Sequence, residues 1–181
     1  MLQHIRTEVP MKTSDILIRR KDRTDNDWIS NLLTSEWTSV QIVTHGKSYD
    51  ATRLPAFLAI VNGSRAGFVT YCVQQRECQI VSLNSLVEKI GIGKALLAAV
   101  EREASSLGCK RLWLITTNDN TDALRFYQKR GFRIAALHLG AIRKSRRLKP
   151  EIPMKGFADI PILDEIELEK LLGSQQSRNP Q

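Results

Sequence analysis

The sequence has few cysteines and no long apolar run, and each shortage excludes a class of protein. Its 181 residues include three cysteines, Cys72, Cys78 and Cys109, and no CxxC pair. An odd number without metal-ligand spacing argues against a disulfide framework and a zinc ribbon. No apolar stretch approaches the roughly 20 residues that a membrane-spanning helix needs. The opening residues, MLQHIRTEVPMK, lack the apolar core of a secretory signal. We therefore expect a cytoplasmic protein with no membrane partner.

Acidic residues are outnumbered by basic ones, 19 against 27, which gives a formal net charge of +8. Such a molecule attracts anions, but charge alone does not choose among nucleic acid, acidic membrane and a phosphorylated cofactor. A hydrophobic share of 42% and a charged share of 25% are typical of a globular protein. There are no internal repeats. The length fits a single domain over residues 1–172, followed by a polar tail, 173–181, that we expect to be disordered.

In the first half of the chain, apolar runs alternate with turn residues, which predicts an antiparallel sheet. The residues Thr24 to Asp27 resemble a helix N-cap with acids in the first turn, and an amphipathic helix follows. Asn62-Gly63-Ser64-Arg65 is a turn signal between two apolar strands. The strands expected are 16–19, 54–61, 66–73 and 78–83, with 41–44 as a possible extra strand.

The second half alternates strands and helices. It predicts a helix over 92–107, a buried strand over 111–116 that runs parallel to the strand before the helix, a helix over 120–130, and a strand over 132–141. Residues 149–161 contain three prolines and a glycine and are expected to form a loop. Ile166 and Leu168 alternate with glutamates, which favours a closing strand, although a helix is possible. The fold class is therefore α+β, with a mixed, mostly antiparallel sheet whose central parallel strands splay to open a cleft.

A glycine turn connects the strand that ends near Leu83 to the helix that follows Gly93. It directs backbone N–H groups and the positive end of a helix dipole at one point, which is an anion site. The dinucleotide pattern GxGxxG fails because Leu96 replaces the third glycine. A Walker A loop fails because Ala95 stands where a hydroxyl is needed for Mg²⁺. On its own, the Gly91-Ile92-Gly93 segment is more often a helix start that uses glycines for close packing than a ligand site.

A second motif follows the apolar strand RLWLIT. With both motifs in order, the chain resembles the GNAT acyltransferase superfamily over roughly residues 16–172. The superfamily motif Q/R-x-x-G-x-G/A aligns with residues 88–93, and N-x-x-A-x-x-F-Y-x-x-x-G-F matches residues 120–132 at every defined position. Glu88 departs from the usual Gln or Arg, and Lys89 replaces a common glycine. A carboxylate beside a pyrophosphate is unfavourable unless it turns to solvent, and Lys89 and Lys94 compensate by charge.

The resemblance implies that acetyl-CoA is the co-substrate and that no metal takes part. The pyrophosphate would lie on backbone N–H groups from Ile90 to Lys94, and the pantetheine arm would pair with the strand near Leu83 and Ser85. The implied cofactor-binding residues are Leu83, Ser85, Lys89, Ile90, Gly91, Ile92, Gly93, Lys94, Asn120, Ala123, Phe126 and Tyr127. Asn120 would bind the pantetheine, and the alternative, a plain helix N-cap, is compatible with that role.

The resemblance also implies catalytic roles. Tyr127 would protonate the departing thiolate, although an aromatic residue at helical spacing is commonly a core residue. The backbone N–H of Leu83 is the candidate donor to the oxyanion. Glu77 is a candidate general base, with a solvated charge at a strand end as the alternative. Gln79 cannot act as a base, and a chain of waters could take that role. The further pocket candidates are His45, Tyr49, Asp50 and His138.

The run Arg143-Lys144-Ser145-Arg146-Arg147-Leu148-Lys149 suggests nucleic-acid binding, but it has no interleaved aromatics and lies in no known binding motif. We expect it to be a solvated loop, or a clamp for an acidic substrate or for the ribose phosphate of the cofactor.

Together these observations predict an acyl-CoA-dependent N-acyltransferase that transfers acetyl to a primary amine, on a small molecule or a protein, by direct attack in a ternary complex. Residues 40–49 and 149–161 are expected to form the acceptor pocket, and the protein is expected to be a monomer or a homodimer. Two alternatives are a non-catalytic acyl-CoA-binding sensor and a basic nucleic-acid-associated protein.

Overall fold

The structure is a computed structural model that describes residues 16–173. A mixed sheet carries helices on its faces. Its strands are β1 (Ile16–Arg20), β4 (Ala56–Val61), β5 (Ser64–Gln74), β6 (Glu77–Ser85), β7 (Arg111–Thr117), β8 (Arg133–His138) and β9 (Glu165–Leu171), and β2 (Gln41–Thr44) pairs with β3 (Lys47–Asp50) in a separate ribbon. The helices are α1 (Asn26–Trp37), α2 (Ile92–Ser106), α3 (Thr121–Gln128) and α4 (Ala141–Leu148).

The seven strands of the main sheet lie in the order β1-β4-β5-β6-β7-β9-β8. Every neighbouring pair is antiparallel except β6 and β7, which are parallel. Two parallel neighbours require a crossover connection, and α2 supplies it. The predicted α+β class, with a mostly antiparallel sheet and a central parallel pair, is confirmed.

The first face of the sheet is covered by α2. Its residues Ile92, Leu96, Val100 and Ala104 recur every four positions and are almost fully buried. They belong to one apolar cluster with strand residues such as Leu112. Burial of a leucine or isoleucine side chain is worth about 1.5–3 kcal/mol, so this stripe fixes α2 across the parallel pair.

The opposite face carries α1 over the antiparallel half of the sheet. Ile29 and Leu33 of α1 and Phe68 of β5 are fully buried in a second apolar cluster. Trp28 packs edge-on against Phe68, with 6.0 Å between ring centroids. Farther along this face, over β6 to β9, polar side chains replace the apolar ones.

The two parallel strands separate halfway along their length. β6 and β7 pair only from Glu77 opposite Arg111 to Ile80 opposite Leu114. β6 then loses register with β5 between Tyr71, which faces Ile80, and Thr70, which faces Ser82. Such a bulge bends the strand that carries the extra residue. β7 instead keeps an unbroken register with β9 as far as Thr117. The expected splay is therefore present, and a cleft opens between the two strands.

Several predicted elements agree with the structure. The hairpin turns at Asn62-Gly63, the helix after Gly91 spans Ile92–Ser106, and β7 is parallel to β6. The open alternatives are also resolved, because residues 41–44 and 165–171 both form strands. The proposed tail begins at Gly173, and its residues 174–181 lie outside the described residues. In the described part of the chain, no helix is long and apolar enough to span a membrane.

The strand predicted over 132–141 is wrong at its end, and so is the loop predicted at the basic run. β8 stops at His138 and α4 follows. Its Ser145 hydroxyl donates to the Glu165 carboxylate at 2.9 Å. Arg146 donates to three backbone carbonyls of the neighbouring loop. Lys149 Nζ donates to the carbonyls at the end of α1 and in β2, each at 3.0 Å. Part of the basic run is therefore structural.

The helix start predicted at residues 24–27 is confirmed in position, because α1 begins at Asn26 with Asp25 as its N-cap residue and Asp27 in the first turn, but the Asp25 side chain makes no capping hydrogen bond to α1. Asp22 caps a short 3-10 turn and accepts the Thr24 N–H at 2.8 Å. Asp25 is fully buried instead, and its carboxylate accepts both Arg19 Nη1 at 2.7 Å and Arg65 Nε at 2.8 Å. Hydrogen bonding by Arg19 is the main reason that the pKa of Asp25 lies far below its usual value. This ion cluster joins β1, β5 and the start of α1.

Candidate active site

The cleft between β6 and β7 has a closely packed floor. A Cβ on Gly93 would lie 3.1 Å from the Cε2 and Cζ atoms of Phe126 and 3.5 Å from the Cδ2 atom of Leu83. The glycine at this position thus lets α3 and β6 approach the first turn of α2. Arg130 lies over the Phe126 ring, 3.6 Å from its centroid, and donates to the Phe126 carbonyl. Three residues predicted from separate motifs, Leu83, Gly93 and Phe126, are in this way brought together.

The first turn of α2 presents free N–H groups at the mouth of the cleft. Gly91 has φ of 97°, in the left-handed region that favours glycine, and it precedes the helix. The first helical hydrogen bond runs from Ala95 N to Gly91 O at 3.0 Å. The amides of Ile92, Gly93 and Lys94 come before that bond and have no acceptor within the helix. With the positive end of the dipole of a 15-residue helix, they form a site for an anion.

The charged residues of the turn are solvent-exposed. Glu88, Lys89 and Lys94 all have exposed side chains. An exposed carboxylate retains its hydration, so Glu88 leaves the backbone amides available. Ile90 is partly buried against the main apolar cluster, and this contact anchors the turn.

Tyr127 is buried beside the cleft, with 7% of its surface exposed. Its ring packs edge-on against Phe126 and Phe132, at centroid distances of 5.0 and 5.3 Å. Burial raises the pKa of the Tyr127 hydroxyl well above its usual value, and Arg130 opposes the rise slightly. The hydroxyl therefore keeps its proton at neutral pH. Tyr127 is a core aromatic residue, and it also carries a phenolic proton beside the proposed cofactor residues.

Asn118, Asp119 and Asn120 connect β7, α3 and the loop at 149–161. Asn120 Oδ1 accepts the Ala123 N–H at 3.0 Å, so it is the N-cap of α3. Asp119 is buried, and its Oδ2 accepts the Phe157 N–H at 3.0 Å. Asn118 donates to the Pro161 carbonyl at 2.9 Å. The loop is thus fixed beside the N-terminus of α3, at the side of the cleft.

Glu77 lies at the opposite end of β6 from the splay. It lies six positions before Leu83, which corresponds to about 20 Å of extended strand. Its carboxylate forms an ion pair with Arg111, at 3.3 Å between Nη1 and Oε2. This position does not favour Glu77 as a base for a reaction near Leu83. Asp50 likewise has a structural contact, because it caps a short helical turn through the Thr52 N–H at 3.0 Å.

A polar surface lies beside the cleft, on the sheet face opposite α2. The Tyr49 hydroxyl donates to Gln79 Oε1 at 3.1 Å, which fixes the ribbon of β2 and β3 against β6. Gln79 is buried, and its Nε2 has no hydrogen-bond partner among residues 16–173. Trp113 of β7 packs edge-on against His45 at 6.3 Å. A polar group that enters here would find an unsatisfied donor on Gln79.

Two residues of this polar surface, Trp113 and Glu167, were not among the sequence-derived candidates. The alternation of RLWLIT already separates Trp113 from Leu112 and Leu114, which face α2. Glu167 alternates in the same way with Ile166 and Leu168. The alternation therefore predicts on which face of its strand each of the two residues lies. Only the strand order, however, shows that both lie beside the ribbon of β2 and β3.

Comparisons with known proteins agree with this architecture. A family model described as "Acetyltransferase (GNAT) family" matches residues 26–132. The Bacillus subtilis (strain 168) protein YdhI is 39% identical over 145 residues, which is 80% of this chain and 91% of that protein.

Two solved structures share the fold. The IAA acetyltransferase from Bacillus cereus ATCC 14579 has a TM-score of 0.69 at 21% identity, covering 87% of this chain and 99% of that one. A GNAT family acetyltransferase from Elizabethkingia anophelis with acetyl-CoA bound has a TM-score of 0.65 at 20% identity, with the same coverage of each chain. At these identities the comparison establishes the arrangement of strands and helices around the cleft.

Proposed function

The chain belongs to the acetyltransferase (GNAT) family, and on that premise we propose that it transfers an acetyl group from acetyl-CoA to a primary amine. The observation that carries the proposal is the separation of β6 from β7 next to the free amides of α2. A cleft of this shape accepts an extended, amide-bearing arm whose diphosphate lies at a helix N-terminus. The acetyl-CoA bound to the Elizabethkingia anophelis relative supports the choice of cofactor.

The binding roles follow the geometry of the cleft. The diphosphate would accept hydrogen bonds from amides between Ile90 and Lys94, and Lys89 and Lys94 would add positive charge. The pantetheine arm would lie along the edge of β6 that β7 leaves after Ile80, near Leu83 and Ser85. Asn120 would donate from its Nδ2, since its Oδ1 is used by the helix cap.

The reaction would be direct. The amine nitrogen attacks the thioester carbon, and the oxyanion that forms accepts the Leu83 N–H. The carbon–sulfur bond then breaks, and the thiolate takes the proton of the Tyr127 hydroxyl, which solvent restores. The amine proton leaves to water, because Glu77 lies at the far end of β6. The products are an acetylated amine and coenzyme A.

The acceptor would approach from the polar surface beside the cleft. We assign the ribbon of β2 and β3 and the loop at 149–161 to the border of this acceptor surface. Gln79 Nε2, which lacks a partner among the described residues, would donate to an oxygen of the acceptor. An unpaired buried donor costs about 1–3 kcal/mol, so a bound oxygen there would favour the matching acceptor.

The test is a thiol-release assay with acetyl-CoA across a panel of primary amines, followed by Tyr127→Phe on the amine that reacts. Loss of one general acid lowers the turnover rate about 10²–10⁴-fold, while acetyl-CoA binding stays unchanged. Gln128→Ala is the matched control, because Gln128 is the next residue of α3 and its side chain is exposed. This variant should retain full activity.

Two outcomes would contradict this proposal. If the panel gives no thiol release although acetyl-CoA binds, the result favours an acyl-CoA-binding sensor over a transferase of these amines. If an amine reacts and Tyr127→Phe turns over at the wild-type rate, Tyr127 is not the acid.

A further inference from the structure

Two histidines and a glutamate from three different elements meet on the polar surface. His45 lies in the turn of the β2–β3 ribbon, His138 ends β8, and Glu167 lies in β9. One ligand atom from each side chain lies within 4.8 Å of the other two. His138 Nε2 is 3.2 Å from Glu167 Oε2, and the rings of His45 and His138 are 4.8 Å apart between centroids.

We propose that these three side chains bind a zinc ion. Two imidazoles and one carboxylate form a ligand set that suits Zn²⁺, with a water at the fourth position. Bonds of about 2.0–2.1 Å in a tetrahedron place ligand atoms about 3.3 Å apart. His138 and Glu167 already have that separation. The remaining ligand atom belongs to His45, whose side chain is exposed and whose ligand atom lies within 4.8 Å of those of His138 and Glu167.

The position of His45 is set by a buried carboxylate. Glu165 is 2% exposed, and its Oε2 accepts the backbone N–H of His45 at 3.1 Å. Its Oε1 accepts the Ser145 hydroxyl at 2.9 Å. The ribbon turn is therefore joined to β9, two residues from Glu167. Trp113 packs against the ring of His45 and limits how far it can move away from the cluster.

Glu167 keeps one oxygen for a metal. Arg111 donates from Nη2 to Oε1 of Glu167, and Oε2 faces His138. A metal-bound carboxylate is commonly held by a hydrogen bond on its other oxygen, and Arg111 supplies that bond. Without metal, the contact between His138 and Glu167 is an ordinary hydrogen bond, so a binding experiment separates the two situations.

A zinc ion at this position would link the ribbon to β8 and β9. The ribbon otherwise forms its own two-stranded sheet, separate from the main one. The metal would therefore act as a clip at the border of the polar surface. Its binding does not depend on acetyl-CoA, so failure of the zinc site and failure of the proposed acyl transfer are separate results.

The test uses the metal-free, full-length chain without a histidine tag, titrated with Zn²⁺ by calorimetry. Wild type should bind one equivalent. His45→Ala and Glu167→Gln should each lower the affinity at least about tenfold, since even changes to groups behind the ligands cost roughly 10–100-fold. His4→Ala is the control, because His4 is the one histidine of the sequence that is not part of the proposed cluster, and it lies outside the described residues. It should bind Zn²⁺ as wild type does.

A second measurement, the melting temperature with and without Zn²⁺, tests the proposal even if one of the variants folds poorly. Zn²⁺ should raise the melting temperature of wild type and of His4→Ala but not that of His45→Ala, because a ligand that binds the native state stabilises it. Substitution with Co²⁺ should give the visible absorption of a tetrahedral site only where the ligands are intact. Absence of zinc binding to wild type, or equal binding by His45→Ala and Glu167→Gln, would overturn the proposal.

Discussion

Gly93→Ala tests the packing that shapes the cleft. The new Cβ would stand 3.1 Å from two atoms of the Phe126 ring and 3.5 Å from Leu83 Cδ2. Gly93 lies in the first turn of α2, outside the left-handed backbone region, so alanine brings no backbone strain there. The effect of the substitution is therefore steric, and it falls on the two side chains that line the cleft.

Two opposing effects determine how much Gly93→Ala changes the unfolding free energy. Alanine is favoured over glycine by up to about 1 kcal/mol inside a helix. Overpacking a close contact costs about 1–3 kcal/mol. The Phe126 ring cannot retreat freely, because Arg130 lies 3.6 Å from its centroid. We therefore expect the protein to lose about 0–2 kcal/mol of unfolding free energy. We also expect the ring to move into the cleft and weaken acetyl-CoA binding about tenfold, which is about 1.4 kcal/mol.

Calorimetric titration with acetyl-CoA measures the affinity, and urea unfolding measures the stability. Gly63→Ala is the matched control. It lies in the β4–β5 turn with φ of 76° and open space around the Cβ. Backbone strain there should cost about 1–2 kcal/mol of stability and leave acetyl-CoA affinity unchanged. A folded Gly93→Ala protein that binds acetyl-CoA as tightly as wild type would refute the reasoning.

Two further predictions concern buried charges. Asp25→Asn should lower the unfolding free energy by about 1.5–3 kcal/mol in urea, because it removes the buried carboxylate that pairs with Arg19 and Arg65, whose own side chains are partly exposed. The pKa of Asp25 lies below its ordinary value of 3.8. Its contribution to stability is therefore complete above about pH 4 and is lost as the pH falls towards the folded-state pKa. If the stability of Asp25→Asn fell as steeply in acid as that of wild type, the prediction would be contradicted. Lys149→Met should cost about 1–3 kcal/mol, because it leaves two carbonyls without their donor, one of them Trp37 O. The exposed Lys144→Met serves as its control, and equal stability of the two variants would count against the assignment.

The sequence predicted elements whose stability is local. The stripe from Ile92 to Ala104 has helical spacing and faces the core as expected. The alternation of β9 likewise favoured a strand. Its place between β7 and β8 was not predictable from that alternation, because strand order depends on contacts between distant segments.

Helix α4 is not predictable from the local sequence either. Its buried side chains are Ile142 and Ser145, which is too little apolar surface for a helical pattern. The bonds of Arg146 to carbonyls of the following loop help to hold this helix in place. The ion cluster around Asp25 is not predictable from the local sequence for a similar reason, since its partner Arg65 lies 40 residues away.

The candidate site was partly predictable. Two motifs identified the turn at Gly91 and the helix with Tyr127, and the structure brings both to the splay. The polar surface with Trp113 and Glu167 is not predictable from the sequence, because its residues come from different strands of the main sheet and from the ribbon of β2 and β3. The sequence position of Glu77, at the start of the strand before the glycine turn, suggests a base, but the distance along β6 separates it from the cleft.

The most direct test of the central claim compares coenzyme A with pantetheine by calorimetric titration of the wild-type chain at moderate ionic strength. If the amides at the start of α2 hold the diphosphate, coenzyme A should bind one to one and pantetheine at least about tenfold more weakly, because it lacks the diphosphate. No heat with coenzyme A, or equal affinity for both molecules, would contradict the account.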